Sequence, residues 1–426
     1  MDTLATAAAR AADVLWKDRF AQRALGATSS AIRELLKFTE RPDIISFAGG
    51  LPAAETFPMA ELEAACQRVL EKQGASAMQY STTEGYPPLR ELLVAQMARY
   101  GIKVGIENVL ITSGAQQALD LIGRLLINPG DEVLTEEPTF LGAIQAFTAC
   151  QARFLGVPAD HEGMRVDLVE RALRAGPKFL YVLPNFQNPS GVTLSLERRE
   201  RLVELASHYG VPVVEDDPYG QLRYEGTHLP PLVKVDATFH GFANGERAFR
   251  GDVLYLGTLS KVLGPGLRVG WVVAPEEVVR KLVQLKQGAD LHTSTFTQMV
   301  AYETARDGFL VRHVPAIRAI YRERRDAMLA ALERHAPEEV RWTRPQGGLF
   351  LWLTLPEGTD AGVVLKDALR EKVAFVPGTS FFPSGGGENT LRLNFSFCAP
   401  PLIEEGIRRL GGVLRRHVGA RPSRAR

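Results

Sequence analysis

Val253-Leu254-Tyr255-Leu256-Gly257-Thr258-Leu259-Ser260-Lys261 sets an apolar run directly before a hydroxyl-rich turn that ends in a lysine. Val253–Leu256 is too short for a helix and reads as a buried strand. Working outward, comparable runs recur at Val109–Thr112, Glu132–Leu134, Phe179–Leu183, Val211–Glu215 and Val269–Val273. Longer stretches with helical periodicity separate several of them, such as Ala115–Ile127 and Leu196–Tyr209. Apolar strands alternating with helices predict an α/β fold built on a mainly parallel sheet covered on both faces. On such sheets ligands gather beyond the carboxyl ends of the strands.

The chain of 426 residues suits a large domain plus a smaller one. From about residue 300 the pattern changes. Helices over 300–335 lead to Val340–Leu355, a strand broken at Gly347-Gly348. A helix near 360–371, the run Ala374–Val376, a Gly-rich turn, Thr390–Phe397 and a final helix complete an α+β unit. The expected division is an N-terminal arm over 1–55, a large domain over 56–295 and a small domain over 296–426. Residues 1–40 read as helical segments broken near Gly26, and Arg41-Pro42 ends them. Residues 236–251 are Gly-rich without a period and read as an inserted surface loop or hairpin beside the Lys261 strand.

Composition is ordinary for a globular protein, with 45% hydrophobic and 23% charged residues. A net charge of +1 gives no field for nucleic acid or an anionic membrane, and neither partner is expected. The basic stretch from Arg415 to Arg426 reads as a solvated end. Cys66, Cys150 and Cys398 are odd in number and far apart, so neither a disulfide framework nor a metal site is expected. A reducing, cytoplasmic setting follows from that reading. No apolar run approaches membrane-spanning length.

Residues suited to one cofactor cluster after the strands. A cofactor with an aldehyde, a pyridine ring and a phosphate requires a lysine amine, an acid against the ring nitrogen, an aromatic or apolar face and a phosphate cup. Lys261 supplies the amine for a Schiff base with pyridoxal phosphate, where an exposed loop lysine is the bland alternative. Thr258, Ser260 and, in Gly264-Pro265-Gly266-Leu267-Arg268, Arg268 suit phosphate oxygens. Asp216 ends an apolar run and suits a protonated ring nitrogen, while an acid before Pro218 also suits a helix N-cap. Tyr219 lies three residues on and suits the ring's phenolic oxygen. Asn188, in Asn185-Phe186-Gln187-Asn188-Pro189-Ser190-Gly191, can present its amide to that oxygen and to a substrate carboxylate from a turn. Ser113-Gly114-Ala115-Gln116-Gln117 opens a helix after a strand, as a phosphate site or a generic turn. Phe140 reads as a ring-stacking residue or a core aromatic. Arg392 sits among apolar neighbours and needs a carboxylate, from a substrate or from an internal acid.

Taken in order, these segments resemble fold type I pyridoxal-phosphate enzymes of the aminotransferase class I/II family, over residues 28 to 412. Ile45-Ser46-Phe47-Ala48-Gly49-Gly50-Leu51-Pro52, Gln79-Tyr80-Ser81 with Gly85-Tyr86, Gln287-Gly288-Ala289-Asp290-Leu291-His292-Thr293 and Ser29-Ser30-Ala31-Ile32-Arg33 look most like the 2-aminoadipate (LysN-like) and kynurenine/α-aminoadipate aminotransferase branch. The resemblance implies a large domain with a seven-stranded, mainly parallel sheet and a smaller α+β domain. It implies a homodimer with shared active sites, Tyr80 reaching the phosphate of the neighbouring subunit's cofactor. Ser30 and Arg33 would set side-chain selectivity, with an exposed helix charge as the plain alternative for Arg33, and Gly50 would touch substrate backbone. Phe140 stands where many relatives have tyrosine, and Ala115 replaces a common serine. The implied activity is ping-pong transamination between an amino acid, with a lean toward 2-aminoadipate or glutamate, and a 2-oxo acid. Aromatic or branched donors fit the same architecture. A β-lyase or decarboxylase on the same scaffold is the first rival, and a MocR-like regulatory module a remote one, since residues 1–27 are too short for a DNA-binding domain.

Overall fold

The computed structural model describes residues 16–26, 43–241 and 249–418. Its strands, in chain order, are β1 (Ile45–Ser46), β2 (Val109–Thr112), β3 (Glu132–Glu137), β4 (Arg153–Asp160), β5 (Gly163–Met164), β6 (Leu180–Val182), β7 (Val213–Asp216), β8 (Val253–Thr258), β9 (Gly270–Val273), β10 (Arg341–Trp342), β11 (Phe350–Thr354), β12 (Val373–Ala374), β13 (Val376–Pro377) and β14 (Thr390–Asn394). The large sheet runs β2-β9-β8-β7-β6-β3-β4-β5. From β8 to β4 every pairing is parallel, whereas β9 is antiparallel to both β2 and β8. Seven strands form the sheet proper, and the two-residue β5 pairs antiparallel with β4 at its edge.

Both faces of this sheet are covered, and alternation along each strand assigns side chains to opposite layers. Leu110, Tyr181, Val214, Leu254, Leu256 and Val272 pack with Leu119 and Ile122 of the helix Ala115–Leu126 and with Leu282 of the helix Glu276–Gln287. Their strand neighbours Ile111, Leu180, Val213 and Tyr255 face the other way, into a layer that includes Leu89 and Leu93 of the helix Pro87–Arg99 and Leu202 and Ala206 of the helix Leu196–His208. β4 escapes the sequence reading for a physical reason. It lies near the sheet edge, carries Gly156 and Pro158, and buries only Val157 fully, so its apolar signal is weak.

A second sheet, β10-β11-β14-β13, is antiparallel, and β14 lies between β11 and β13. The run Val340–Leu355 is interrupted at Gly347-Gly348 as expected, with β10 and β11 on either side. A Cβ at Gly347 would meet the Leu222 carbonyl at 2.3 Å, so the chain can pass there only without a side chain. Ala374–Val376 also divides: β12 pairs parallel with β1, and β13 pairs with β14. The helices expected over 300–335, near 360–371 and at the end are Thr295–Ala305, Phe309–His335, Ala361–Arg370 and Pro400–Val418.

The expected insertion over 236–251 needs correction at its start. Asp236 to Phe239 complete the helix Leu232–Phe239, in which Leu232, Val233, Asp236 and Ala237 are buried at helical spacing. The buried Glu215 carboxylate fixes that helix from beneath by accepting the N–H groups of Leu232 and Val233 at 2.8 Å each. Residues 242–248 lie outside the described residues. In the N-terminal region, a short helix over Gln22–Leu25 ends at Gly26 as expected. Among the described residues, no helix is long and apolar enough to cross a membrane.

Candidate active site

The carboxyl ends of β2, β6, β7 and β8 point to one side of the sheet, and the chemistry-bearing residues follow each of them. β9 locks two of these ends together, because Gly270 lies opposite Thr112 in one pairing and Thr258 in the other. A Cβ on Gly270 would stand 2.7 Å from the Ala115 amide nitrogen, so glycine lets the start of the helix Ala115–Leu126 descend onto the sheet. Gly114, with φ 84°, precedes that helix, and a Cβ there would meet Arg268 Nη2 at 2.4 Å. Arg268 donates through Nη2 to the Ser113 carbonyl at 3.3 Å, from a left-handed backbone of φ 53°. Thr258 Oγ1 lies 2.9 Å from Ser260 Oγ and accepts the Ser260 N–H at 3.1 Å. These contacts bring Gly114, Ala115, Thr258, Ser260 and Arg268 together near the start of the helix Ala115–Leu126, a set of amide, hydroxyl and guanidinium groups whose chemistry suits an anion. Gln116 turns its side chain elsewhere, donating to the Gly142 carbonyl at 2.8 Å, and leaves its backbone amide in the helix's first turn.

Lys261 Nζ donates to the Gly50 carbonyl at 3.1 Å. Part of the side chain remains open to solvent, yet its surroundings strip enough water to lower the amine to about 8, with Arg392 and Arg268 adding repulsion. An amine so lowered is a far better nucleophile at neutral pH than an ordinary lysine.

Asp216 closes β7 and is buried. Its Oδ2 accepts from Tyr181 Oη at 2.9 Å, and its Oδ1 has no hydrogen-bond partner among the described residues. Burial raises its pKa to about 7 against the pull of that hydrogen bond. No helix follows Pro218, so neither acid is an N-cap; Asp217 holds a turn instead, its Oδ1 accepting from Gly220 N–H and Asn185 Nδ2, each at 2.9 Å. A buried carboxylate oxygen without a donor is costly, and a ring N–H would satisfy it. Tyr181 escaped the sequence reading, because a tyrosine inside a buried strand looks like any core aromatic.

Arg392 projects from β14 and is buried. Nη1 donates to Asn188 Oδ1 and Nη2 to the Ala48 carbonyl, each at 2.7 Å, while Nε has no partner among the described residues. The guanidinium lies over Phe350 at 4.2 Å and Phe381 at 5.1 Å from the ring centroids. Burial lowers it to about 10, and among the described residues no carboxylate pairs with it. The internal-acid alternative therefore has no support, and the cation stands ready for an acid from outside. Tyr219 is buried next to Asn188 and Asp216, its phenol pushed well up by burial. Asn188 thus bridges Arg392 and Tyr219.

Phe140 is half-buried, and its ring occupies the space that a Cβ on Gly142 would need. Tyr80 projects into solvent at 79% exposure, edge-on to His292 at 6.0 Å. It makes no contribution to the gathered site of its own chain. Ser30 and Arg33 lie outside the described residues. Asp290, within a segment quoted for the resemblance, accepts from Ser113 Oγ, Gln117 Nε2 and the buried Lys286 amine, at 3.0, 2.7 and 2.6 Å. It holds the strand-to-helix turn from outside, a role its sequence position did not reveal.

The family model for aminotransferase class I and II matches residues 42–410. The chain belongs to that family. This aminotransferase is 49% identical over 401 residues to the 2-aminoadipate transaminase of Thermus thermophilus, covering 94% of this chain and 97% of that one. It is 47% identical over 406 residues to the aromatic-amino-acid aminotransferase 1 of Thermococcus litoralis, covering 94% of both. Among solved structures, the Thermus thermophilus α-aminoadipate aminotransferase complexed with N-(5'-phosphopyridoxyl)-L-leucine superposes with a TM-score of 0.88 at 46% identity, covering 95% of this chain and 99% of that one. The fold is that of the fold type I pyridoxal-phosphate aminotransferases, the enzyme is a transaminase acting on amino and oxo acids, and its cofactor is pyridoxal phosphate. The donor cup around Gly114 and the bare Oδ1 of Asp216 fit the two ends of that cofactor.

Proposed function

We propose that this aminotransferase moves the α-amino group of 2-aminoadipate or glutamate to 2-oxoglutarate, with aromatic or branched donors also accepted, in two alternating half-reactions. The observation that carries the reading is Arg392, a buried guanidinium with a free Nε and only neutral partners. An α-carboxylate completes it. The names of the two relatives, one for an acidic and one for aromatic amino acids, support breadth.

When bound, pyridoxal phosphate supplies an aldehyde and an electron-withdrawing ring. In the proposed mechanism Lys261 would be the residue that holds the cofactor, and its amine would take the substrate's Cα proton as base and give it back as acid. Asp216, oriented by Tyr181, keeps its carboxylate against the ring nitrogen and balances the charge that develops there. Asn188 and Tyr219 hold the ring's phenolic oxygen. Gly114, Ala115, Gln116, Thr258, Ser260 and Arg268 hold the phosphate, Ala115 and Gln116 through their amides, and Phe140 lies against the ring. Gly50 and Arg392 position the substrate backbone and carboxylate, and Ser30 and Arg33 select its side chain.

The same reading includes a homodimer in which Tyr80 serves the neighbouring site; its exposure supports that assignment. It divides the chain into an arm over 1–55, a large domain over 56–295 and a small domain over 296–426. The parallel pairing of β1 with β12 supports an arm that joins the small domain. A cytoplasmic setting is supported by three cysteines that are all unpaired. Stopped-flow half-reactions with a panel of amino acids test the substrate assignment. Fast cofactor conversion by 2-aminoadipate and glutamate is expected, reduced selectively in Arg33→Ala. Equal rates for acidic donors in wild type and Arg33→Ala would remove the basis for an acidic preference.

A further inference from the structure

Asp236, His240 and Asp252 bring three ligand-type side chains together at the opposite end of β8 from Lys261. Asp236 and His240 are four residues apart, so the helix Leu232–Phe239 and its C-cap present both on one face. Asp252 comes from the residue before β8. His240 Nε2 lies 3.1 Å from Asp252 Oδ2 and 3.4 Å from Asp236 Oδ1, and one ligand atom from each residue falls within 4.8 Å of the others.

Asp236 makes this more than a surface ion pair. It is fully buried, and among the described residues neither carboxylate oxygen has a hydrogen-bond partner. The amides of Asp252 and Val253 approach and favour its ionised form without closing a hydrogen bond on it. Nε2 of His240 carries at most one proton and already faces both Asp252 and Ser207 Oγ, the latter at 3.3 Å. One proton cannot serve Asp252, Ser207 and both oxygens of Asp236. Gly251 keeps the space clear, since a Cβ there would stand 1.9 Å from Asp236 Oδ2.

We propose that Asp236, His240 and Asp252 form a binding site for a divalent transition cation of the Zn2+ class. Ligands about 2.0–2.2 Å from a tetrahedral ion stand roughly 3.3–3.5 Å from one another, so the two separations from His240 need little adjustment, while the two carboxylates, within 4.8 Å, would draw closer around the ion. One imidazole and two carboxylates suit Zn2+ and its neighbours better than Mg2+ or Ca2+, which favour all-oxygen shells. The cation supplies what the single proton cannot, a charge that faces both carboxylates at once. It ties the end of the helix to the strand that carries Lys261. Because β8 rises about 3.3 Å per residue over six residues, the site stands roughly 20 Å from the lysine end. Its effect falls on stability and leaves the chemistry alone.

The test uses the cofactor-loaded enzyme, freed of metal by a chelator and titrated with Zn2+ by calorimetry and by thermal unfolding. One Zn2+ per chain is expected, with a rise in Tm and an unchanged kcat. Asp252→Asn and Asp236→Asn should each weaken binding at least tenfold and remove most of the Zn2+-dependent rise in Tm. His240→Ala combined with Asp252→Asn should abolish both, while the cofactor's absorbance shows that these variants remain folded. Equal Zn2+ uptake by wild type and the double variant would overturn the site. So would a metal-free wild type that Zn2+ does not stabilise, which would leave the cluster as an imidazolium between two acids.

Discussion

Asp216 carries an opposition between stability and catalysis in a single carboxylate. Its folded-state pKa is raised from 3.8 to about 7 by burial. The folded chain therefore holds a proton that the unfolded chain has released, and stability drains away as pH rises from about 4 to 7. Above pH 7 the whole penalty remains. Cofactor-free Asp216→Asn should accordingly be more stable than cofactor-free wild type at pH 8, by on the order of 1–4 kcal/mol, with the gap closing toward pH 4. Urea unfolding at both pH values measures it. The same variant, loaded with cofactor, should lose roughly a hundredfold or more in turnover. Lys261 gives the complementary pH signature. Its amine, lowered to about 8, must be neutral to attack an aldehyde, so cofactor uptake by the cofactor-free protein should rise through pH 8. A midpoint near the ordinary lysine value of 10.5, followed by absorbance, would contradict the environment described. At this scale the sequence was informative where a polar residue interrupts an apolar strand or follows its end, as at Lys261, Asp216, Asn188 and Arg392. It was silent on Tyr181, whose neighbours in β6 hide it, and on Asp290, whose partners come from a distant helix.

Among the elements, the join of β2, β9 and the helix Ala115–Leu126 matters most. Gly270 and Gly114 remove two side chains so that strand, helix and Arg268 can meet. Gly114→Ala must accept a strained φ of 84° and push Arg268 aside. A cost of about 1–3 kcal/mol at the cup implies a loss of about fivefold to somewhat over a hundredfold in cofactor affinity. Equilibrium dialysis of pyridoxal phosphate against both proteins checks this, and far-UV circular dichroism shows that the fold persists. Element reading from sequence succeeded for the buried strands, with β2 matching at both ends. It failed where burial was one-sided or cut across the chosen window. β4 shows too little apolar surface, and the helix Leu232–Phe239 starts four residues before the segment read as a loop.

For the whole molecule, Tyr80 is the informative residue, because its assigned task lies in another subunit. If two chains share their sites, Lys261→Ala and Tyr80→Ala subunits should complement one another. Each parent is inactive or weak, and a mixed dimer carries one site with both residues intact. Mixing the two variants after reversible dissociation should restore a clear fraction of wild-type activity. A mixture no better than the sum of its parents would place Tyr80 outside the neighbouring site.

Arg392 has a kinetic consequence. Among the described residues its buried guanidinium has no acid of its own and is held on β14 by neutral oxygens. Amino donor, amino acceptor and both products all carry a carboxylate beside the reacting carbon. With Arg392 in its proposed role, all four compete for one counter-ion position, whichever form the cofactor is in. An oxo acid that arrives before the cofactor has gained its amino group occupies the position unproductively, and so does an amino acid that arrives after. Crowding by either substrate should slow the enzyme, and the slope of that inhibition measures how little Arg392 distinguishes the partners it must serve in turn.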